Sequence, residues 1–101
     1  MLPNDIHQAL PLWVLDPQQK IISRTFVFMD FVQAFEFMSQ CAQYANEIDH
    51  HPDWSNSWNK VVVHLTTHLA GGLTKLDVEF AQKMDTIALG LNAHPLHDPL
   101  R

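Results

Sequence analysis

Ile21-Ile22-Ser23-Arg24-Thr25-Phe26-Val27-Phe28-Met29-Asp30-Phe31-Val32-Gln33-Ala34-Phe35 is the stretch in which the chain changes period. Up to Phe28 the side chains alternate. Ile22, Arg24, Phe26 and Phe28 fall on one side and Ile21, Ser23, Thr25 and Val27 on the other, the two-residue repeat of a strand. Beyond Asp30 the apolar spacing lengthens to three and four. Phe31, Ala34, Phe35, Met38, Cys41, Ala42, Ala45 and Ile48 share one helical face, so the spacing predicts a helix with that stripe in the core. Asp30 is placed to cap its first turn, with Gln33 as capping-box partner, and Pro52 sets its end near residue 50.

Working outward, Trp13-Val14-Leu15 reads as a short strand closed by the Asp16-Pro17 turn, forming a hairpin with Ile21–Phe28. Before it, residues 3–10 suit a short helix begun by Pro3 and Asn4 and stopped ahead of Pro11. Downstream, Trp54 to Trp58 alternates. Val61 to Thr67 alternates again, with Val61, Val63, Leu65 and Thr67 facing one way and Val62, His64, Thr66 and His68 the other. Gly71-Gly72 breaks that strand, and Thr74 with Asp77 makes a second capping box. It opens a helix whose stripe is Phe80, Ala81, Met84, Ile87, Ala88 and Leu91. The expectation is a single α+β domain over 1–101, with 1–12 as an N-terminal segment and 93–101 as an aperiodic tail. Its two layers follow the order β-β-α-β-β-α: a four-stranded antiparallel sheet with two helices packed on one face.

Composition narrows the function. A chain of 101 residues that is 47% hydrophobic and 17% charged belongs with folded domains. Net charge is −5, and the six Lys and Arg are scattered, so no basic stripe exists for a nucleic-acid backbone. No apolar run approaches the roughly 18 residues of a membrane span. The opening Met1-Leu2-Pro3-Asn4-Asp5 lacks the basic and apolar regions of a secretory signal. The single cysteine, Cys41, excludes an internal disulfide and sits on the core face as a buried thiol. A cytoplasmic setting is the expectation, with neither nucleic acid nor membrane as partner.

The histidines carry the chemical signal. Of seven, His50 and His51 lie at the helix exit and His68 at the end of the fourth strand. An imidazole near its ordinary value of about 6.5 gives or takes a proton at neutral pH, which suits an elimination. His7, His94 and His97 read as solvated, and His64 as solvated or at an interface. Neighbouring histidines rarely chelate one ion together, and neither a helical His-x-x-x-His pair nor a Cys-x-x-Cys is present, so no metal is expected. A core-facing Cys41 has no route to a substrate. Gly71-Gly72-Leu73-Thr74 lacks the lysine of a phosphate loop and is most simply a turn.

Glu47-Ile48-Asp49-His50-His51-Pro52-Asp53-Trp54 resembles the hallmark of the pterin-4a-carbinolamine dehydratases. So do Trp58-Asn59-Lys60-Val61, Thr67-His68, Gly71-Gly72-Leu73-Thr74 and Asp77, and upstream Arg24-Thr25-Phe26-Val27-Phe28, Asp30-Phe31 and Ala34-Phe35. The likeness runs over about residues 13–90, with Thr-His seventeen residues after the second histidine. It implies the same fold and a lyase that removes the C4a hydroxyl of a 4a-hydroxytetrahydropterin, giving the quinonoid dihydropterin in tetrahydrobiopterin recycling. It makes His50 and His68 the acid–base groups and His51 a substrate-binding histidine that shares in proton transfer. It also places Glu47, Asp49, Trp54, Thr66, Thr67 and Asp77 around the pterin. No cofactor is implied, and the partners are a pterin substrate and further copies of the chain, as homodimer or homotetramer. The alternatives are a non-catalytic dimerisation or coactivator-like module of the same fold, and another pterin-processing role. Trp58, Leu69 and Leu76 depart from the family pattern, and the resemblance puts the last two at the pocket rim, where they bear on substrate side-chain preference and affinity.

Overall fold

Alternation along Ile22–Val27 and Lys60–Leu65 produces the two longest strands, here β2 and β4, and they pair antiparallel at the centre of the sheet. Their register runs from Ile22↔Leu65 to Val27↔Lys60. The computed structural model describes residues 5–91. Around the central pair lie α1 (Ile6–Ala9), β1 (Val14–Leu15), α2 (Phe31–Ile48), β3 (Asp53–Ser57) and α3 (Lys75–Gly90). A single 3₁₀ turn, His68–Ala70, separates β4 from α3. The sheet order is β1-β2-β4-β3, so each hairpin lies on one flank and each outer strand is an edge.

The expected α+β architecture is present, and the differences from expectation are local. The carboxylate of Asp5 caps α1 by accepting from the His7 and Gln8 N–H groups. The helix therefore starts later than expected, and Pro3 and Asn4 lie outside the described residues, as do His94, His97 and the tail. Asp30 accepts from the Gln33 N–H at 2.9 Å, while α3 has the complete capping box between Thr74 and Asp77. Alternation stops at Ser57, because Trp58 (φ 51°) and Asn59 form the two-residue β3–β4 turn. The buried Asn59 ties that turn to the end of β2: its side-chain amide and its carbonyl bond Phe28 O and Phe28 N, each at 2.9 Å.

The core face of the sheet carries Ile22, Phe26, Val61, Val63 and Leu65, with Trp54 half-buried beside them. Phe37 of α2 closes on Phe26 and Phe28, with ring centroids 4.6 and 5.0 Å apart. The α2 stripe is turned from its expected phase. Ala34, Phe37, Cys41 and Ala45 are buried, whereas Phe31 and Phe35 are 48% and 56% exposed and Ala42 is exposed. The helix has apolar residues on both flanks of its buried line. α3 covers the flank of Tyr44, whose ring meets Phe80 at 5.3 Å, and the flank of Phe31, Phe35 and Ala42 is left uncovered. Arg24, also on the core face, pairs with Asp85 of α3 and lies 4.1 Å over the Phe26 ring. Asp85 accepts a further bond from the Trp13 indole N–H at 2.8 Å, which fastens the β1 segment to α3.

Candidate active site

Helix α2 ends in a turn that the next two residues inherit. Asp49 takes a left-handed conformation (φ 52°), and His50 N–H reaches back to Ala45 O at 3.0 Å while Asp49 N–H approaches Asn46 O at 3.4 Å. This pairing of bonds closes a helix C-terminus and is usually built on glycine. It throws the chain sideways, so that His50 turns inward and His51 stands over the last helical turn. His50 is nearly buried and Pro52 carries the chain into β3.

His68 is presented differently. β4 ends at Leu65, earlier than the alternation suggested, and Thr67 rejoins the chain at Gly72 through two backbone bonds of 3.0 and 3.3 Å. Inside this pinched loop Gly71 adopts φ 74°, open to glycine at little cost, and accepts the turn that leaves His68 outward. The side chain of His68 is 80% exposed, with Nε2 3.7 Å from Asp53 Oδ2 at the start of β3.

Asp77 joins these pieces. It is fully buried in the first turn of α3, where the helix N-terminus favours negative charge. Its Oδ1 meets His50 Nε2 at 2.6 Å, and its Oδ2 accepts from the Thr67 hydroxyl at 2.7 Å and the Thr74 N–H at 2.9 Å. The Thr67 and Thr74 hydroxyls are themselves 2.8 Å apart. Since an ionised carboxylate only accepts, His50 donates through Nε2 and Nδ1 is the ring atom left for chemistry. The network thus ties His50 to Thr67, the residue before His68, while the His68 ring stands near Asp53, two residues after His51.

Of the residues anticipated from sequence, His50, Thr67 and Asp77 form one hydrogen-bonded unit, with His51 and His68 at its margin. Thr66 is engaged elsewhere, its hydroxyl donating to Lys20 O at 2.7 Å. Asp49 serves as the helix-ending residue, and Trp54 packs against the core. Glu47 lines a separate cleft of about 400 Å³ between α2 and α3, with Tyr44 and Lys83. Two neighbours escaped the sequence reading. Asn46 Oδ1 lies 3.2 Å from His51 Nε2, and Asp53 lies beside His68. No sequence signal marks Asn46, because the left-handed turn at Asp49 that brings His51 over it is a feature of the fold. Burial pushes the Cys41 thiol up to about 12, which keeps it out of nucleophilic chemistry. Among the described residues no three His, Cys, Asp or Glu side chains are grouped to hold a metal ion, and no helix is long and apolar enough to cross a membrane.

A two-layer β-β-α-β-β-α domain with a histidine cluster at the α2–β3 junction defines a recognisable class, the pterin dehydratase fold. The family model described as pterin 4 alpha carbinolamine dehydratase matches residues 2–87, and the chain belongs to that family. A Rhizorhabdus wittichii protein with the provisional name pterin-4-alpha-carbinolamine dehydratase is 50% identical over 84 residues, covering 83% of this chain and 87% of that protein. A Bordetella avium protein of the same provisional name is 48% identical over 92 residues, covering 91% and 85%. The crystal structure of a transcriptional coactivator/pterin dehydratase from Brucella melitensis superposes with a TM-score of 0.80 at 46% identity, covering 84% of this chain and 90% of that one. A pterin dehydratase-like RuBisCO assembly factor of the alpha-carboxysome, 19% identical with a TM-score of 0.66 over 75% of this chain and 88% of its own, shares the fold.

Proposed function

We propose that this protein dehydrates a 4a-hydroxytetrahydropterin to the quinonoid dihydropterin, in recycling of tetrahydrobiopterin. The observation that carries the reading is the buried Asp77–His50 pair, linked through Thr67 to the loop of His68 and followed directly by His51. The reaction breaks the C4a–O bond and the N5–H bond. One imidazole protonates the departing hydroxyl as water, and another takes the N5 proton, so electrons and protons balance without an oxidant or reductant. His50 and His68 are the acid–base groups, and His51 binds the pterin. Family membership and relatives at 46–50% identity support the assignment.

Stopped-flow dehydration of synthetic 4a-hydroxytetrahydropterin tests it. His50→Ala and His68→Ala are each expected to lower turnover by roughly 10²–10⁴, the usual worth of one acid–base group, with an unchanged circular dichroism spectrum. Full activity in the double variant would sink the mechanism. Chelator treatment is expected to leave turnover unaltered.

A second reading, a protein-binding module, draws on the exposed apolar cluster of Met29, Phe31, Val32 and Phe35. Wild-type protein inert in the same assay would favour it.

A further inference from the structure

His50 and His51 are sequence neighbours, yet their surroundings differ in kind. Both rings are held through Nε2. For His50 the holder is the fully buried carboxylate of Asp77, at 2.6 Å. For His51 it is the exposed amide oxygen of Asn46, at 3.2 Å. A carboxylate compensates a positive imidazole, whereas a neutral amide oxygen supplies an acceptor and no charge. The helix-ending turn makes the second contact possible. The bond from His50 N–H to Ala45 O and the left-handed Asp49 fold residue 51 back over residue 46, five positions earlier.

We infer that Asn46 is a positioning residue that holds His51 as its neutral Nε2–H tautomer. An amide oxygen only accepts, so the shared hydrogen belongs to the ring, and in the neutral imidazole that leaves Nδ1 with the bare lone pair. His51 then meets the substrate as an acceptor, for a pterin N–H, and proton donation falls to the histidines beside carboxylates: His50 with Asp77, and His68 with Asp53. This last step rests on the dehydratase reading; the tautomer does not. Adjacent, chemically identical side chains are thereby given different tasks by their second partners.

Long-range ¹H–¹⁵N correlation spectra of uniformly ¹⁵N-labelled protein at about pH 8, where a free imidazole is neutral, test the tautomer directly. The expected result is a protonated Nε2 and an unprotonated Nδ1 for His51. In Asn46→Ala the His51 nitrogens are expected to move to values averaged between tautomers while those of His50 stay in place. Asn46→Asp, which keeps an accepting oxygen, is expected to restore the Nε2–H form. Alanine suits an exposed helical position, so the variant folds. A wild-type His51 protonated on Nδ1, or spectra indifferent to Asn46→Ala, would overturn the inference whatever the enzyme does. In the kinetic arm, Asn46→Ala is expected to raise KM for 4a-hydroxytetrahydropterin about ten-fold, near the worth of one hydrogen bond, with kcat little changed. A fall in kcat at unchanged KM would overturn the acceptor role. Wild-type protein that turns over no pterin would sink the dehydratase reading and its acceptor step, leaving the tautomer result standing.

Discussion

Asp77 is asked to do two things with one carboxylate. It ends the first turn of α3 by accepting from Thr74 N–H, and it backs His50 from a position with no access to water. Taking a carboxylate out of water costs several kcal/mol. Three donors offset that cost here: the His50 ring, the Thr67 hydroxyl and the Thr74 N–H. Hydrogen bonds to charged groups contribute about 1.5–3 kcal/mol each, so the three together offset the burial. Removing the carboxylate strands three donors at once, the buried His50 ring among them. Asp77→Ala is therefore expected to lower the unfolding free energy by about 3–5 kcal/mol, the usual loss when a buried pair is broken, as read from urea titration. A midpoint equal to that of the wild type would mean that the network has no structural weight. Asp49 is the cheaper residue of the two: its left-handed backbone is tolerated by Asp at a cost of roughly 1 kcal/mol.

Helix α2 shows how far a periodic pattern reaches. Phe37 touches Phe26 and Phe28 in the interior, and truncating it to alanine is expected to cost about 3–5 kcal/mol. Phe35→Ala, on the uncovered flank, is expected to cost below about 1 kcal/mol. Thermal denaturation of the pair checks this, and the reverse ranking would refute the phase described for α2. From sequence the ranking would have been inverted, because Phe35 was assigned to the core stripe and Phe37 was not. Both residues lie within reach of a helical apolar face, and the choice between flanks depends on where α3 packs, which no local pattern encodes. What local pattern does encode was readable: the alternation in β2 and β4, the Thr74–Asp77 box, and the histidines beside Pro52. The other half of the site was not, since Asn46 reaches His51 only once Asp49 has turned the chain, and Asp77 reaches His50 only through the tertiary fold. His68, expected at the end of a strand, lies instead in the pinched loop between Thr67 and Gly72.

At the scale of the molecule, the two sheet edges are unequal. β1 offers two residues and β3 offers five, among them Trp54 and Asn56. In a two-residue hairpin the residues flanking the turn, Ser57 and Lys60, exchange hydrogen bonds, so alternate positions Trp54 and Asn56 aim their backbone groups away from β4. An unblocked edge of this kind pairs readily with a copy of itself about a two-fold axis. Sedimentation equilibrium at micromolar concentration is expected to find a multiple of the 11.6 kDa chain, and Asn56→Pro is expected to shift it toward that mass. Asn56 also braces the turn by donating to Lys60 O at 2.7 Å, so Asn56→Ala, which lacks the brace but keeps the N–H, is the control. A wild type that sediments at the chain mass would remove the edge-pairing proposal.

The sheet order also has a history in time. β2 sits inside the sheet, yet its long partner β4 is completed only at Leu65, 38 positions after Val27. At a synthesis rate of about 5–20 residues per second, that is a wait of roughly 2–8 s. Throughout that interval the inner strand of the finished protein, with Ile22 and Phe26 on its core face, has only the two residues of β1 beside it in the sheet. α2 emerges first and can lay Phe37 against Phe26 and Phe28 before any β4 exists. The ribosome thus makes the cover before it makes the neighbour, and a substitution that delayed α2 would be felt as aggregation of newly made chains, not as a weaker folded state.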